Sequence, residues 1–567
     1  MTDRDAASTK GRQLSEAKQA LLEKRLRGNL KSAVEALAIP ARDPAAPIPL
    51  SYAQERMWFL HQLDPQSPAY NMFNVVRLRG PLDPALLIQS FQLLVDRHDV
   101  LRTQFVPENG RPVQQIVPAI RFELPIQDLQ SVGNPKQEID LDGLIRAEIR
   151  RPFDLARCPL IRARLLKLAH DHHLLILTVH HAIFDEWSND ILWQELSAAY
   201  RALLDGRLPE LTPLSVQYAD FTLWQRSQAD SQPSEQLAYW KRQLGFDLPV
   251  LRLHEKRPRP LQQSFNGAMQ WRDLSASFYP RFRELSREFG ATLFMTTLAA
   301  FQILLHRYTQ ELDILVGTPI AVRGHPDLKE LIGLFLNTLV MRANFADDPR
   351  FADFVQQVRQ TALEGYAHQE VPFEALVDQV RPRRHAGHNP IFQVMFVHQK
   401  NALNQIDLPG LTASQTPVDM GAAKFDLTLF VEEGEHNLRV GVEYNSDIYD
   451  IESAERMLGH YETLLESIVE NPQQRVSKLP LLTGAERTLI LERWNEAVLA
   501  PAADLCIHQL IEVHARSTPE EMAVIAEDAE LTYGELDRRA TSSPIPCGDW
   551  ASSPTCRSRS CWNAQPR

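Results

Sequence analysis

The chain has 567 residues, enough for several domains, and its 44% hydrophobic and 23% charged content is that of ordinary globular proteins. A net charge of −12 with no dominant basic patch argues against a nucleic-acid binder. Nothing approaches the ~18 apolar residues of a membrane span. The polar start "MTDRDAASTKGRQ" is unlike a signal peptide, and Cys158, Cys506, Cys547, Cys556 and Cys561 fit neither a zinc ribbon nor a disulfide framework, so a cytoplasmic location is expected.

Residues 1–47 read as a helical leader, "LSEAKQALLEKRLRGNLKSAVEALA", followed by the proline-rich linker "IPARDPAAPIPL". The leader is either a solvated segment or a docking element for another polypeptide. Ser51 and Gln54 of "SYAQ" have capping-box spacing ahead of the apolar "MWFL", which predicts a helix start. "MFNVVRLRG" (72–80) alternates as a strand, and the following "PLDPALLIQSFQLLVDRH" predicts a helix with Asp83 as N-cap and Pro84 in its first position. A comparable strand and helix recur at 267–275 and 279–308, with further strands at "DILVGTPIA" and "IFQVMFVHQ". Two related α/β halves are therefore expected, at 48–228 and 235–475. One site between the halves is expected rather than two. Residues 476–505 read as a linker, and 506–540 as a helix, a strand hairpin and a helix start. The segment 541–567 is rich in Ser, Pro and Arg and poor in aliphatics, which predicts disorder.

The chemistry concentrates in "HHAIFDEWS" (His180–Ser188), which follows the apolar run "LLILTV". The run predicts a buried strand, so strand alternation would point His180 and His181 to opposite faces. A metal site is one reading, since His181 and Asp185 stand four apart, but it needs helical geometry and a third ligand. The other reading is acyl transfer, in which a neutral imidazole accepts or orients a proton on an incoming nucleophile. A buried Asp185 would need a cationic partner to offset its desolvation.

"HHAIFDEWS" resembles the HHxxxDG core of condensation domains of non-ribosomal peptide synthetases, a family akin to chloramphenicol acetyltransferase. Further family motifs follow in order: "SYAQERMWFL" (51–60), "RHDVLRTQF" (97–105), "YADFTLW" (218–224), "IGLFLNTLVMR" (332–342), "HQEVPFE" (368–374) and "HNPIFQVMF" (388–396). Seven motifs in sequence make the resemblance specific, and "LTYGEL" within 506–540 resembles the truncated start of an adenylation domain.

The resemblance implies an α/β fold of the α+β sandwich type, with two acetyltransferase-like halves forming a V-shaped pseudo-dimer around a central tunnel. It implies that His181 is catalytic and Asp185 structural, with Arg56 of the opening motif as the expected partner of Asp185. His180 and Ser188 would support the site, and Glu186, Trp187, Asn337 and Thr338 would line the tunnel. Asn337 is as readily a loop-capping amide as a substrate contact. One residue departs from the pattern: the family has glycine after the aspartate, where this chain has Glu186, adding bulk and charge.

The implied reaction joins a donor acyl or peptidyl thioester to the α-amine of an acceptor aminoacyl thioester. No cofactor or metal would be bound to the chain. Both substrates would ride on 4'-phosphopantetheine arms of carrier proteins, expected on other polypeptides, with no nucleic acid and no membrane involved. The rival readings are a catalytically silent fragment of a broken module that only binds carriers, an epimerisation relative, and a free-standing acyltransferase.

Overall fold

The computed structural model describes residues 39–542, except 131–139, 232–233, 246–247, 254, 262, 381–388, 390, 401–405, 496–506 and 527–528. The leader helices expected before residue 39 and the tail expected to be disordered after residue 542 lie outside the described residues. The chain divides into two compact units, Met1–Thr483 and Gly484–Arg567.

The first half opens with α1 (Tyr52–Leu63), and its capping box is complete. The Gln54 N–H donates to Ser51 Oγ and the Ser51 N–H donates to Gln54 Oε1, each at 3.1 Å. Strand β1 (Asn71–Arg79) leads into α2 (Pro84–Arg97), where Asp83 accepts from the backbone of Ala85 and Leu86 as an N-cap should. Then come β2 (Ile126–Asp128), α3 (Leu141–Arg150), β3 (Ile161–Ala169), β4 (His172–His180) and α4 (Glu186–Leu204). Strand β4 lies between β1 and β3, antiparallel to both. Leu174 and Ile176 pack with Val75, Ile145 and Ile149 on one face, while Leu175, Leu177 and Val179 pack with Phe91 and Leu196 on the other. A strand covered on both faces has no solvent side, which is why "LLILTV" does not alternate with polar residues.

Helices α5 (Tyr218–Ser231) and α6 (Ser234–Leu244) lead into the second half. There β5 (Gly267–Asp273) is followed by α7 (Phe278–Glu288) and α8 (Leu293–Thr309). The single helix expected over 279–308 is thus two. Gly290 sits at φ +60°, and Thr292 restarts the helix as an N-cap that accepts from the Met295 N–H. Next come β6 (Asp313–Ala321), β7 (Leu336–Asn344), α9 (Phe351–Ala367), α10 (Phe373–Val380), β8 (Val394–Lys400), β9 (Thr412–Gln415), β10 (Leu427–Glu433), β11 (Leu438–Asn445) and α11 (Ile451–Glu470). The second sheet runs β7-β6-β8-β10-β11-β5.

The two halves exchange chain, which the simple boundaries at 228 and 235 do not anticipate. Strand β9 leaves the second half to pair with β1 at the edge of the first sheet, giving the order β9-β1-β4-β3-β2. The segment between β6 and β7 likewise buries Leu328, Leu331, Ile332, Leu334 and Phe335 in the first core. The expected linker from 476 also begins later, because Val476 and Leu479 belong to the second core. In the C-terminal unit, a helix (Ile507–Ser517), a hairpin (Met522–Ala526 with Ala529–Thr532) and a helix (Tyr533–Ser542) succeed one another.

Candidate active site

Strand β4 ends at His180, and His181 begins a short 3-10 turn running to Ile183. The two rings part company there through this turn rather than through strand alternation. The His180 ring is 6% exposed; its Nδ1 accepts from the Ala182 N–H at 3.1 Å, and the ring meets Phe153 edge-on. The His181 backbone N–H donates to the Tyr70 carbonyl at 2.8 Å. Its Nδ1 lies 2.7 Å from the Phe184 carbonyl oxygen. A carbonyl only accepts, so Nδ1 carries the proton, and Nε2 of the neutral ring keeps its lone pair. Helix α1 braces the turn from behind, where Gln54 Nε2 donates to the Ala182 carbonyl at 3.2 Å.

Both rings are held neutral. Burial lowers the His181 pKa to about 4, with the Lys424 charge acting in the same direction, and burial lowers that of His180 to about 3. A histidine in an unfolded chain binds a proton near 6.5, so these two favour the folded state fully above that pH. Their contribution is lost as the pH falls from about 6.5 to about 4 for His181 and to about 3 for His180. Histidine-labelled NMR of the folded protein should therefore show two rings that remain neutral at pH 5.5; a His181 ring titrating at its ordinary value would contradict this environment.

Asp185 is fully buried as the N-cap of α4. Its Oδ1 accepts from the Ser188 N–H and hydroxyl, both at 2.7 Å, and from Arg323 at 3.0 Å, while Oδ2 accepts from the Phe335 N–H at 2.9 Å. The Ser188 hydroxyl also accepts from the Gly333 N–H at 3.0 Å. Arg323 Nη1 donates to the Leu328 and Leu331 carbonyls, its Nη2 also donates to Ser188 Oγ at 2.9 Å, and the guanidinium lies over the Phe335 ring. The expected Arg56–Asp185 pair is therefore corrected. Arg56 lies 3.9 Å from Glu374 and over Phe373, and Arg323 is the buried partner. Arg323 comes from the crossing segment, which brings it to α4 from a distance of 138 residues in sequence.

The expected tunnel residues divide. Asn337 uses its amide entirely on backbone: its nitrogen donates to the Gln369 and Val371 carbonyls, and its oxygen accepts from Thr338 and Phe373. It is a loop-capping amide with no capacity left over. Thr338 is a half-buried member of β7. Trp187 is 46% exposed, with its indole N–H on the Lys329 carbonyl.

Glu186 is the first residue of α4 and is not among the positive-φ residues, so the backbone here makes no demand for glycine. Its side chain reaches water within a cavity of about 190 Å³ that Asn74, Asn189, Trp193, Lys400 and Glu432 also line. Enclosure by protein, with Asp190 and Asp185 nearby, raises its pKa to about 7. Glu186→Gly is expected to keep the fold, with a stability loss below about 1 kcal/mol from helix propensity. A larger fall in thermal melting would show that the carboxylate is structural. Among the described residues no cluster of His, Cys, Asp and Glu could hold a metal. Among the described residues no single helix is long and apolar enough to cross a membrane.

Residues missed from sequence include Arg323, Tyr70 and Lys424. Tyr218, within a quoted motif, joins Ser51 (2.9 Å) to the Leu334 carbonyl (2.8 Å) and so ties α1 to the crossing segment.

The family model for the condensation domain matches residues 45–491. A linear gramicidin synthase of Brevibacillus parabrevis is 42% identical over 499 residues, spanning 87% of this chain and 6% of that protein. Phosphinothricin tripeptide synthetase PhsC of Streptomyces viridochromogenes is 38% identical over 93% of this chain and 49% of its own length. The chain thus spans half or less of these relatives. Among solved structures, the X-domain in complex with OxyB from teicoplanin biosynthesis has 27% identity and a TM-score of 0.71, covering 79% of this chain and 98% of that one.

Proposed function

The chain belongs to the condensation-domain family of non-ribosomal peptide synthetases, and on that premise we propose that His181 serves the aminolysis of one carrier-bound thioester by the amine of another. The observation that carries this reading is the His181 ring itself. Its Nδ1 proton is fixed on Phe184 and the ring is neutral, so Nε2 is free to take or orient a proton.

The donor acyl or peptidyl group and the acceptor aminoacyl group would each arrive on a 4'-phosphopantetheine arm of a carrier protein. The acceptor amine adds to the donor carbonyl, and the donor thiol leaves with a proton. Holding two tethered reactants in register lowers the barrier by as much as about 7–11 kcal/mol. Asp185 and Arg323 would act at one remove, by fixing the start of α4 and the crossing segment around the histidine turn. Glu186 is a wall of the adjoining cavity, and its charge would shape what the donor or acceptor presents there. The carriers are proposed to lie on other polypeptides in the cytoplasm.

The test is a condensation assay on the full chain, with an aminoacyl-loaded donor carrier and a second loaded acceptor carrier, read by mass. A product longer by one residue on the acceptor carrier is expected. Intact, unreacted substrates across a panel of loaded carriers would favour a chain that only binds carriers.

A further inference from the structure

A partly enclosed lysine of the other half stands near the histidine turn. Lys424 stands just before β10, and its Nζ lies 5.5 Å from the centre of the Tyr70 ring. The carbonyl of that same Tyr70 holds the His181 N–H, so lysine and histidine are placed on two sides of one residue. The Lys424 charge acts on His181 in the same direction as burial, against the protonated ring. Lys424 in turn senses Glu443, Arg56 and Glu186. Glu443 Oε1 accepts the Lys424 backbone N–H at 3.4 Å, which anchors the base of the side chain.

The ammonium makes no hydrogen bond among the described residues, although the side chain is at least half enclosed. An ammonium carries three N–H donors, and here they are left open to water or to a bound substrate. A structural lysine would spend them on a carbonyl or carboxylate. One aimed at transient negative charge keeps them free, and electrostatic stabilisation of this kind is strongest where water is excluded.

We propose that Lys424 is a catalytic residue, its ammonium donating a hydrogen bond to the oxyanion formed as the acceptor amine adds to the donor thioester. In that step the amine lone pair forms the new C–N bond, and the carbonyl π pair moves onto oxygen, where Lys424 meets it. The proton released by the attacking nitrogen passes to His181 Nε2. When the oxyanion pair reforms the C=O bond, the C–S bond breaks and the departing sulfur takes that proton as a thiol. The proposal rests on the condensation reading above.

Two measurements test it separately from that reading. In single-turnover condensation with loaded carriers, Lys424→Met should lower the rate constant about 10²–10³-fold, with the half-saturating carrier concentrations little changed. Lys424→Arg, which keeps a cationic donor, should recover at least part of the loss. Because removing Lys424 takes away a positive charge that acts on Glu443, Lys424→Met/Glu443→Gln serves as the variant with balanced charge. The second measurement is binding of a carrier bearing a pantetheine-linked phosphonamidate, against a carrier bearing the neutral ketone isostere. The wild-type protein should prefer the anionic probe at least about tenfold, since one charge-assisted hydrogen bond to a buried anion is worth roughly that or more, and both Met variants should lose the preference. Equal binding of the two probes by the wild type, or an undiminished preference or rate in a folded Met variant, would overturn the role of Lys424. If the wild type forms no amide at all, the condensation reading falls and the binding comparison alone decides on Lys424.

Discussion

Replacing His181 with alanine is expected to lower amide formation about 10²–10⁴-fold while leaving the protein folded. The ring makes one hydrogen bond, to the nearby Phe184 carbonyl, so the structural loss is local and near 1 kcal/mol. The chemical loss is larger, because Nε2 is the lone pair of the histidine turn that no group among the described residues occupies. His180→Ala provides the contrast. That ring is buried against Phe153 and receives the Ala182 N–H, so its removal should act first on stability. Thermal melting and single-turnover rates measured on both variants separate the two effects. Full turnover by a folded His181→Ala protein would remove His181 from the chemistry.

The second large effect is on stability. Asp185→Ala is expected to destabilise the Met1–Thr483 unit by about 3–5 kcal/mol, because it strands the Arg323 guanidinium in the core. It also leaves the Ser188 and Phe335 N–H groups without their acceptor. Asp185→Ala combined with Arg323→Met should be less damaging than the sum of the two single changes, since no charge is then left buried. Arg56→Ala should change stability by no more than about 1 kcal/mol, since its 3.9 Å contact with Glu374 is partly open to water. Chemical denaturation of the four variants gives these values. An unchanged midpoint for Asp185→Ala, with turnover selectively lost, would instead place Asp185 among the reacting groups.

Local signals in the chain were sufficient for much of this site. Ser51 and Gln54 announce the helix that braces the histidine turn, and Asp83 with Pro84 announces the next one, because capping depends on residues only a few positions apart. The unbroken apolar run before His180 marks a strand covered on both faces, and the ordered motifs mark the family and single out His181. The tautomer of His181 was not readable, since it depends on where the Phe184 carbonyl lies after the 3-10 turn.

What the sequence by itself determined is therefore the element pattern, the family and the position of the candidate catalytic histidine. Only the tertiary structure decided which cations serve the site. Arg56 shares a motif with the bracing helix, and nothing local distinguishes it from Arg323 as a partner for Asp185. The choice follows from the segment after β6 crossing into the first core, where Leu328, Leu331, Ile332, Leu334 and Phe335 bury together and carry Arg323 with them. That crossing needs close approach at Gly333, where a Cβ would stand 2.1 Å from the Tyr218 ring. Lys424 comes near the histidine turn in the same way, its ammonium lying over the Tyr70 ring. Helix caps and strand runs are short-range and legible along the chain, whereas the pairing of buried charges waits on which apolar surfaces meet, a decision made jointly by residues hundreds of positions apart.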